Sequence, residues 1–251
     1  MPFTVSHVAA ILPLRGRPFV PSALAVGAMV PDVPLFVPIS SREETHVLSA
    51  VFTWNLGLGL LLLAGFHLLL KRPLLRLAPR AVRERLAVPA AALTWRRAWL
   101  TVPSLLIGQA THLIWDGFTH WTGPFVELWP VLREFAGPLP WYRWGQYGSG
   151  VFGGLAVAVF VLLWLRRAPR VPEPGLSRAT VAAVLVASAA AGAVGAVLGV
   201  ERLPDTLYHD VSHAITGAIA AVGACLTAFA ALYWLAVGFR ATTGRPAQSA
   251  S

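Results

Sequence analysis

Residues 47–70 read VLSAVFTWNLGLGLLLLAGFHLLL, with no Asp, Glu, Lys or Arg among them. A helix of about 20 such residues crosses the ~30 Å hydrocarbon core of a bilayer. The rest of the chain agrees with that solvent. Of its 251 residues 56% are hydrophobic and 12% are charged, about half the ~25% charged share of a soluble domain. The mean hydropathy is +0.65. Four further stretches are long and apolar enough to span, near 98–118, 149–165, 179–200 and 214–238. Residues 19–30 (FVPSALAVGAMV) are apolar but too short; Pro21 and Pro31 bound them as an interfacial or re-entrant helix. The fold expected is therefore all-α and polytopic, with about five transmembrane helices plus short N-terminal interfacial or re-entrant helices. It forms one membrane-embedded domain over 1–239, and RATTGRPAQSAS (240–251) is a disordered tail. The segment 166–178 (RRAPRVPEPGLSR) reads as an extended linker.

The basic residues give an orientation. Nineteen of the twenty are arginine, and Lys71 is the exception. Residues 71–97 hold eight basic side chains against Glu84 alone, and 166–178 hold Arg166, Arg167, Arg170 and Arg178. The loops 119–148 and 201–213 are poor in arginine and carry acids. Positive loops stay in the cytoplasm, so the N-terminus is expected outside and the C-terminus inside. The arginine bias, with abundant Ala, Gly and Pro, points to a GC-rich bacterial genome and hence to a bacterial cytoplasmic membrane. A pI near 11.1 does not indicate nucleic acid here, because the arginines lie between the apolar stretches. The N-terminus lacks the basic and apolar regions of a cleaved signal peptide. One cysteine, Cys225, excludes a disulfide framework and a thiolate metal cluster.

Within the second span lies THLIWDGFTH, residues 111–120. His112, Asp116 and His120 are four apart, so on a helix they stack on one face about 6 Å from each other. An ionisable residue inside a span costs roughly 2.5–3.5 kcal/mol on insertion scales and rarely stands without a partner or a function. Imidazole and carboxylate are both zinc ligands. The packing alternative is a His112–Asp116 pair with other helices, and His120 beside Trp121 also suits a membrane interface. Six of the seven histidines (His7, His46, His112, His120, His209 and His213) and all four aspartates fall on the expected outer side, with His67 the exception. Asp32 sits in MVPDVP, where Pro31 and Pro34 hold it in a stiff turn. In DTLYHDVSHAITG (205–217), Asp205, His209 and His213 repeat the spacing of four. They are either further ligands or a solvated helix start.

Four motifs in order, MPFTVSHVAAILPL, PSALAVGAMVPDVPLF, Thr45-His46 and IGQATHLIWDGFTH, resemble domain-of-unknown-function family 4184, a group of bacterial membrane proteins, over about residues 1–165. The order His, Pro-Asp, His, His-x-x-x-Asp is also similar to the membrane-bound metal-dependent hydrolases. More distantly, it resembles the helical zinc-dependent phospholipase C group. The resemblance implies His7, Asp32, His46, His112 and Asp116 as metal ligands; the spacing of four adds His120 as a further candidate. Where it implies a histidine before the third span this chain has Tyr147, which can hydrogen-bond a substrate but is a poor ligand.

The function expected is a membrane-bound, metal-dependent hydrolase with an outward-facing site. His112 and Asp116 lie at its centre, the metal is zinc, with manganese or iron permitted by the N/O donor set, and the substrate is a phosphoester of a lipid or lipid-linked molecule. Arg133 or Arg143 can hold the phosphate. Trp121, Trp129, Trp141 and Trp144 suit headgroup level. The alternatives are a non-catalytic metal site, structural or sensory, and a haem electron carrier with His112 and His213 as axial ligands. A transporter fits less well, because the polar groups crowd one face.

Overall fold

The computed structural model describes residues 4–15, 18–91, 95–200 and 207–243. Asp205 and residues 244–251 of the expected tail lie outside them. Helix dominates. Among the described residues the one strand pairing is a two-residue ladder, Phe135–Ala136 with Leu139–Pro140, turned at Gly137 with φ of 73°. Four helices are long and apolar enough to cross a bilayer: Trp54–Leu77, Trp141–Arg167, Arg178–Val200 and Asp210–Phe239. The chain is an all-α polytopic membrane protein.

Two of the expected spans differ in an instructive way. The stretch 98–118 forms a 19-residue helix, Thr101–Thr119, but it is not among the four. Its buried face carries Ser104, Gln109, His112, Asp116 and Thr119, so it is amphipathic towards protein, and Ser104, His112, Asp116 and Thr119 find partners inside the fold. The first span begins later than residue 47. Leu48–Phe52 is a separate turn of helix, ended at Thr53 with φ −121° and ψ −97°. The Thr53 hydroxyl donates to the Ser49 carbonyl at 2.9 Å, a side-chain bond that competes with the backbone ladder.

Two compact units emerge. The first comprises residues 1–34, 38–63 and 93–167. In it the short helix Pro21–Gly27 crosses the central helix Thr101–Thr119 at two glycines. A Cβ on Gly27 would strike the Leu105 carbonyl, and one on Gly108 would strike the Leu24 carbonyl and come within 2.7 Å of the Ala28 nitrogen. The backbones touch because neither residue has a side chain. Leu24, Ala28 and Ile11 pack beside this crossing, and Ala23, Leu63 and Leu105 form a second cluster. The 3₁₀ segment Thr4–Leu14 lies against Trp141–Arg167. There the Ser6 hydroxyl donates to the Gly150 carbonyl at 2.7 Å, and Gly153 leaves room for the Ser6 backbone.

The second unit comprises residues 35–37, 64–92 and 168–251. Helices Arg178–Val200 and Leu207–Thr243 pair through Gly195 against Gly217 and Gly199 against the His213 backbone. The linker is extended, as its prolines require, and it is held: Val171 N–H donates to Glu84 O at 2.9 Å, and Arg83 Nε donates to Glu173 O at 2.8 Å. Pro73, inside Lys71–Leu77, has no N–H for the Leu69 carbonyl one turn back. A π-helical turn, Phe66–Leu70, precedes it, and the Trp234 indole donates to Leu69 O at 2.9 Å. Trp234→Phe should therefore lower stability by about 0.5–1.5 kcal/mol, the net worth of a hydrogen bond to a half-buried carbonyl. An unchanged thermal unfolding midpoint in detergent would show that the carbonyl has another partner.

Candidate metal centre

Four segments of the first unit bring their side chains to one point. The 3₁₀ turn Val30–Leu35 supplies Asp32, and its two prolines set that turn. Helix Arg42–Thr45 ends just before His46. The central helix gives His112 and Asp116 from adjacent turns, and Thr4–Leu14 gives His7. Asp32, His112 and Asp116 are 4%, 0% and 6% exposed, and the His46 side chain is 14% exposed.

The geometry suits one cation. Tetrahedral donors at 2.0–2.2 Å from an ion stand about 3.4 Å apart. His112 Nε2 lies 3.3 Å from His46 Nε2, 3.6 Å from Asp32 Oδ1 and 3.6 Å from Asp116 Oδ2. His46 Nε2 lies 3.7 Å from Asp32 Oδ1 and 3.3 Å from Asp116 Oδ2. These are five edges of a tetrahedron, and all four donor atoms fall within 4.8 Å of one another.

The surrounding bonds turn lone pairs inward. His112 Nδ1 donates to the Ala28 carbonyl at 2.8 Å, which leaves Nε2 unprotonated in the neutral ring and facing the other donors. Metal-ligating histidines commonly spend their second nitrogen this way. The Thr4 hydroxyl donates to Asp32 Oδ2 at 2.8 Å, so Oδ1 points to the cluster.

His7 is 3% exposed and stacks on His112 with ring centroids 3.9 Å apart. Its Nε2 is 3.5 Å from Asp116 Oδ1, yet neither ring nitrogen has a hydrogen bond among the described residues. Burial, and next the nearby His112, pull its pKa down to about 4, so at neutral pH it offers a lone pair.

Of the other expected residues, His120 lies against one of the donors. His120 Nε2 accepts from the Gln146 amide at 3.2 Å, while its Nδ1 lies 3.2 Å from the Asp116 carbonyl and 3.5 Å from Asp116 Oδ2. Both its nitrogens are engaged, beside Asp116 and outside the tetrahedron. Tyr147, half-buried on the helix that carries Gln146, makes no hydrogen bond to these groups among the described residues. His213 is exposed on a helix of the second unit. The His209 side chain lies outside the described residues. Gln146, 3% exposed, and Thr4 carry no signal in the sequence: a glutamine and a threonine in apolar surroundings read as ordinary helix and cap residues.

The chain belongs to the family described as Domain of unknown function (DUF4184), whose model matches residues 1–236. No curated protein and no solved structure matches it.

Proposed function

We propose that the protein is a membrane-bound, metal-dependent hydrolase acting on a phosphoester of a lipid or lipid-linked substrate, with its site on the outer face of a bacterial cytoplasmic membrane. The observation that carries this reading is the convergence of two imidazole and two carboxylate donors at tetrahedral spacing. Asp32, His46, His112 and Asp116 would hold the ion, with His7 as a fifth donor against Asp116. Zinc suits the set best, and manganese and iron are permitted by it. Such an ion, when bound, supplies Lewis acidity and lowers the pKa of a coordinated water to about 7.

The chain's own residues do the rest. Ala28 and Thr4 orient His112 and Asp32. His120, held by Gln146, donates towards Asp116 and fixes the rotation of that carboxylate. Arg143 donates to Gln146 Oε1 at 3.0 Å, which puts a cation two hydrogen-bonding side chains away from Asp116 and within reach of an anionic substrate group. Trp121, Trp129, Trp141 and Trp144 are 54%, 46%, 52% and 44% exposed, as headgroup-level aromatics are.

One observation favours a non-catalytic metal site instead: four protein donors, three of them buried, resemble a closed structural site. Against it stand the carboxylate-rich ligand set without cysteine and the surplus donor His7. A haem reading has no such support, because His112 Nε2 faces two carboxylates and an imidazole at 3.3–3.6 Å, which leaves no face for a macrocycle.

Purified protein should hold at least one divalent ion per chain by elemental analysis, and hydrolyse a lipid phosphoester in a way that chelation abolishes and zinc restores. Bound metal with no hydrolysis across a panel of lipid phosphoesters would leave the structural reading standing. Reporter fusions after Arg85 and Arg170 should report the cytoplasm and one near Arg133 the exterior; an external signal at Arg85 would overturn the outward site.

A further inference from the structure

Between the ligands Asp32 and His46 lies Thr45, fully buried. Its hydroxyl donates to the carbonyl of Pro31, the residue before Asp32, at 2.8 Å. The same oxygen is 3.1 Å from His46 Nδ1. A hydroxyl has one proton and two lone pairs. With the proton spent on Pro31 O, which can only accept, the oxygen must accept from His46, so Nδ1 carries the ring proton and Nε2 keeps a lone pair. The Asn55 side chain, also fully buried, donates through Nδ2 to the Thr45 carbonyl at 2.7 Å. Thr45 is thus gripped from behind while it ties two ligand-bearing segments together.

We infer that Thr45 is a positioning residue of the metal centre: it sets the His46 tautomer and holds His46 in register with Asp32. The tie matters at His46 because this residue follows the end of a four-residue helix and its side chain is the most exposed of the four ligands. A β-branched residue without a hydroxyl fills the same space but offers Nδ1 no acceptor and the Pro31 carbonyl no donor. Hydrogen bonds of this kind, one shell out from the ion, typically set 10–100-fold of metal affinity.

The inference rests on the metal reading above, and the test separates the two. Zinc affinity of the detergent-purified full chain is measured by competition with a chromophoric chelator for wild type, Thr45→Val and Thr45→Ser. The valine variant should bind zinc about 10–100-fold more weakly, and the serine variant within about threefold of wild type, since it restores the hydroxyl and not the methyl. Equal affinity of valine variant and wild type overturns the role of Thr45. Wild type that takes up no divalent ion overturns the metal reading instead.

A second measurement needs no variant of Thr45 to fold. In metal-free wild type, the ring-nitrogen chemical shifts of His46, assigned with His46→Gln, should report the Nδ1–H tautomer. The Nε2–H tautomer overturns the inference whatever the affinities show.

Discussion

Gly108→Leu should remove the metal site and lower stability by at least about 3 kcal/mol, the upper end for an overpacked core. The Cβ alone would meet the Leu24 carbonyl and the Ala28 nitrogen, which are backbone and cannot rotate away. Relief requires Pro21–Gly27 to lift off the central helix. That movement carries Ala28 with it, and the Ala28 carbonyl is the acceptor that fixes His112 Nδ1. Zinc affinity should therefore fall together with the unfolding midpoint. Gly57 is the control: it is a helical glycine with nothing within 4 Å of its Cβ, so Gly57→Ala should leave zinc affinity alone and stabilise by roughly 0.5–1 kcal/mol. A Gly108→Leu protein that melts and binds zinc like wild type would mean the two helices are not in contact there.

This crossing shows where the sequence stops being legible. The spans are readable because hydropathy is a property of the segment itself: 179–200 and most of 47–70 declare their solvent residue by residue, whereas the helical continuation to Leu77 runs into Lys71, Arg72 and Arg76 and does not. The pair His112 and Asp116 is readable for the same reason, since the 3.6-residue period places both on one face. Gly27 and Gly108 are 81 residues apart, and each alone is a weak helix residue with no stated partner. Thr53 likewise gives no warning that it ends a turn, as threonine is neutral in a helix until its hydroxyl finds a carbonyl. The central helix, expected as a span, is not among the four long apolar helices: it carries Gln109, His112 and Asp116 on its buried face, and hydropathy cannot tell whether lipid or protein faces a residue. Tyr147 and His120 were singled out by spacing and by resemblance, and neither measure reports where a neighbouring helix points; that is how Gln146, one residue from Tyr147, comes to hold His120.

Asp116→Asn should empty the site. The carboxylate touches every other imidazole of the cluster: Oδ2 is 3.3 Å from His46 Nε2, 3.6 Å from His112 Nε2 and 3.5 Å from His120 Nδ1, and Oδ1 is 3.5 Å from His7 Nε2. Asparagine keeps the shape and loses the charge, so zinc affinity should fall by more than the 10–100-fold of an outer-shell loss. A rival account keeps the same geometry without metal, with protonated imidazoles paired to Asp32 and Asp116. Chelation separates the two. An ion bound only by the folded state at 1,000 times its Kd adds about 4 kcal/mol, so chelator should lower the unfolding midpoint of wild type and leave that of Asp116→Asn unmoved. In the rival account chelator changes neither, and His112→Leu alone destabilises, by up to about 3–5 kcal/mol, because Asp32 and Asp116 lose a buried imidazole that pairs both. The double change His112→Leu with Asp116→Leu would recover part of that, since apolar replacement of a buried pair is often neutral. It cannot recover all, because the Ala28 carbonyl loses its donor at about 1–3 kcal/mol. Under the metal account the double variant folds, ignores chelator and holds no zinc, while His67→Ala, in the second unit beside Lys71, keeps its full metal content. A double-leucine protein with wild-type zinc content would remove THLIWDGFTH from the metal site and, with it, the donor set on which the hydrolase reading stands.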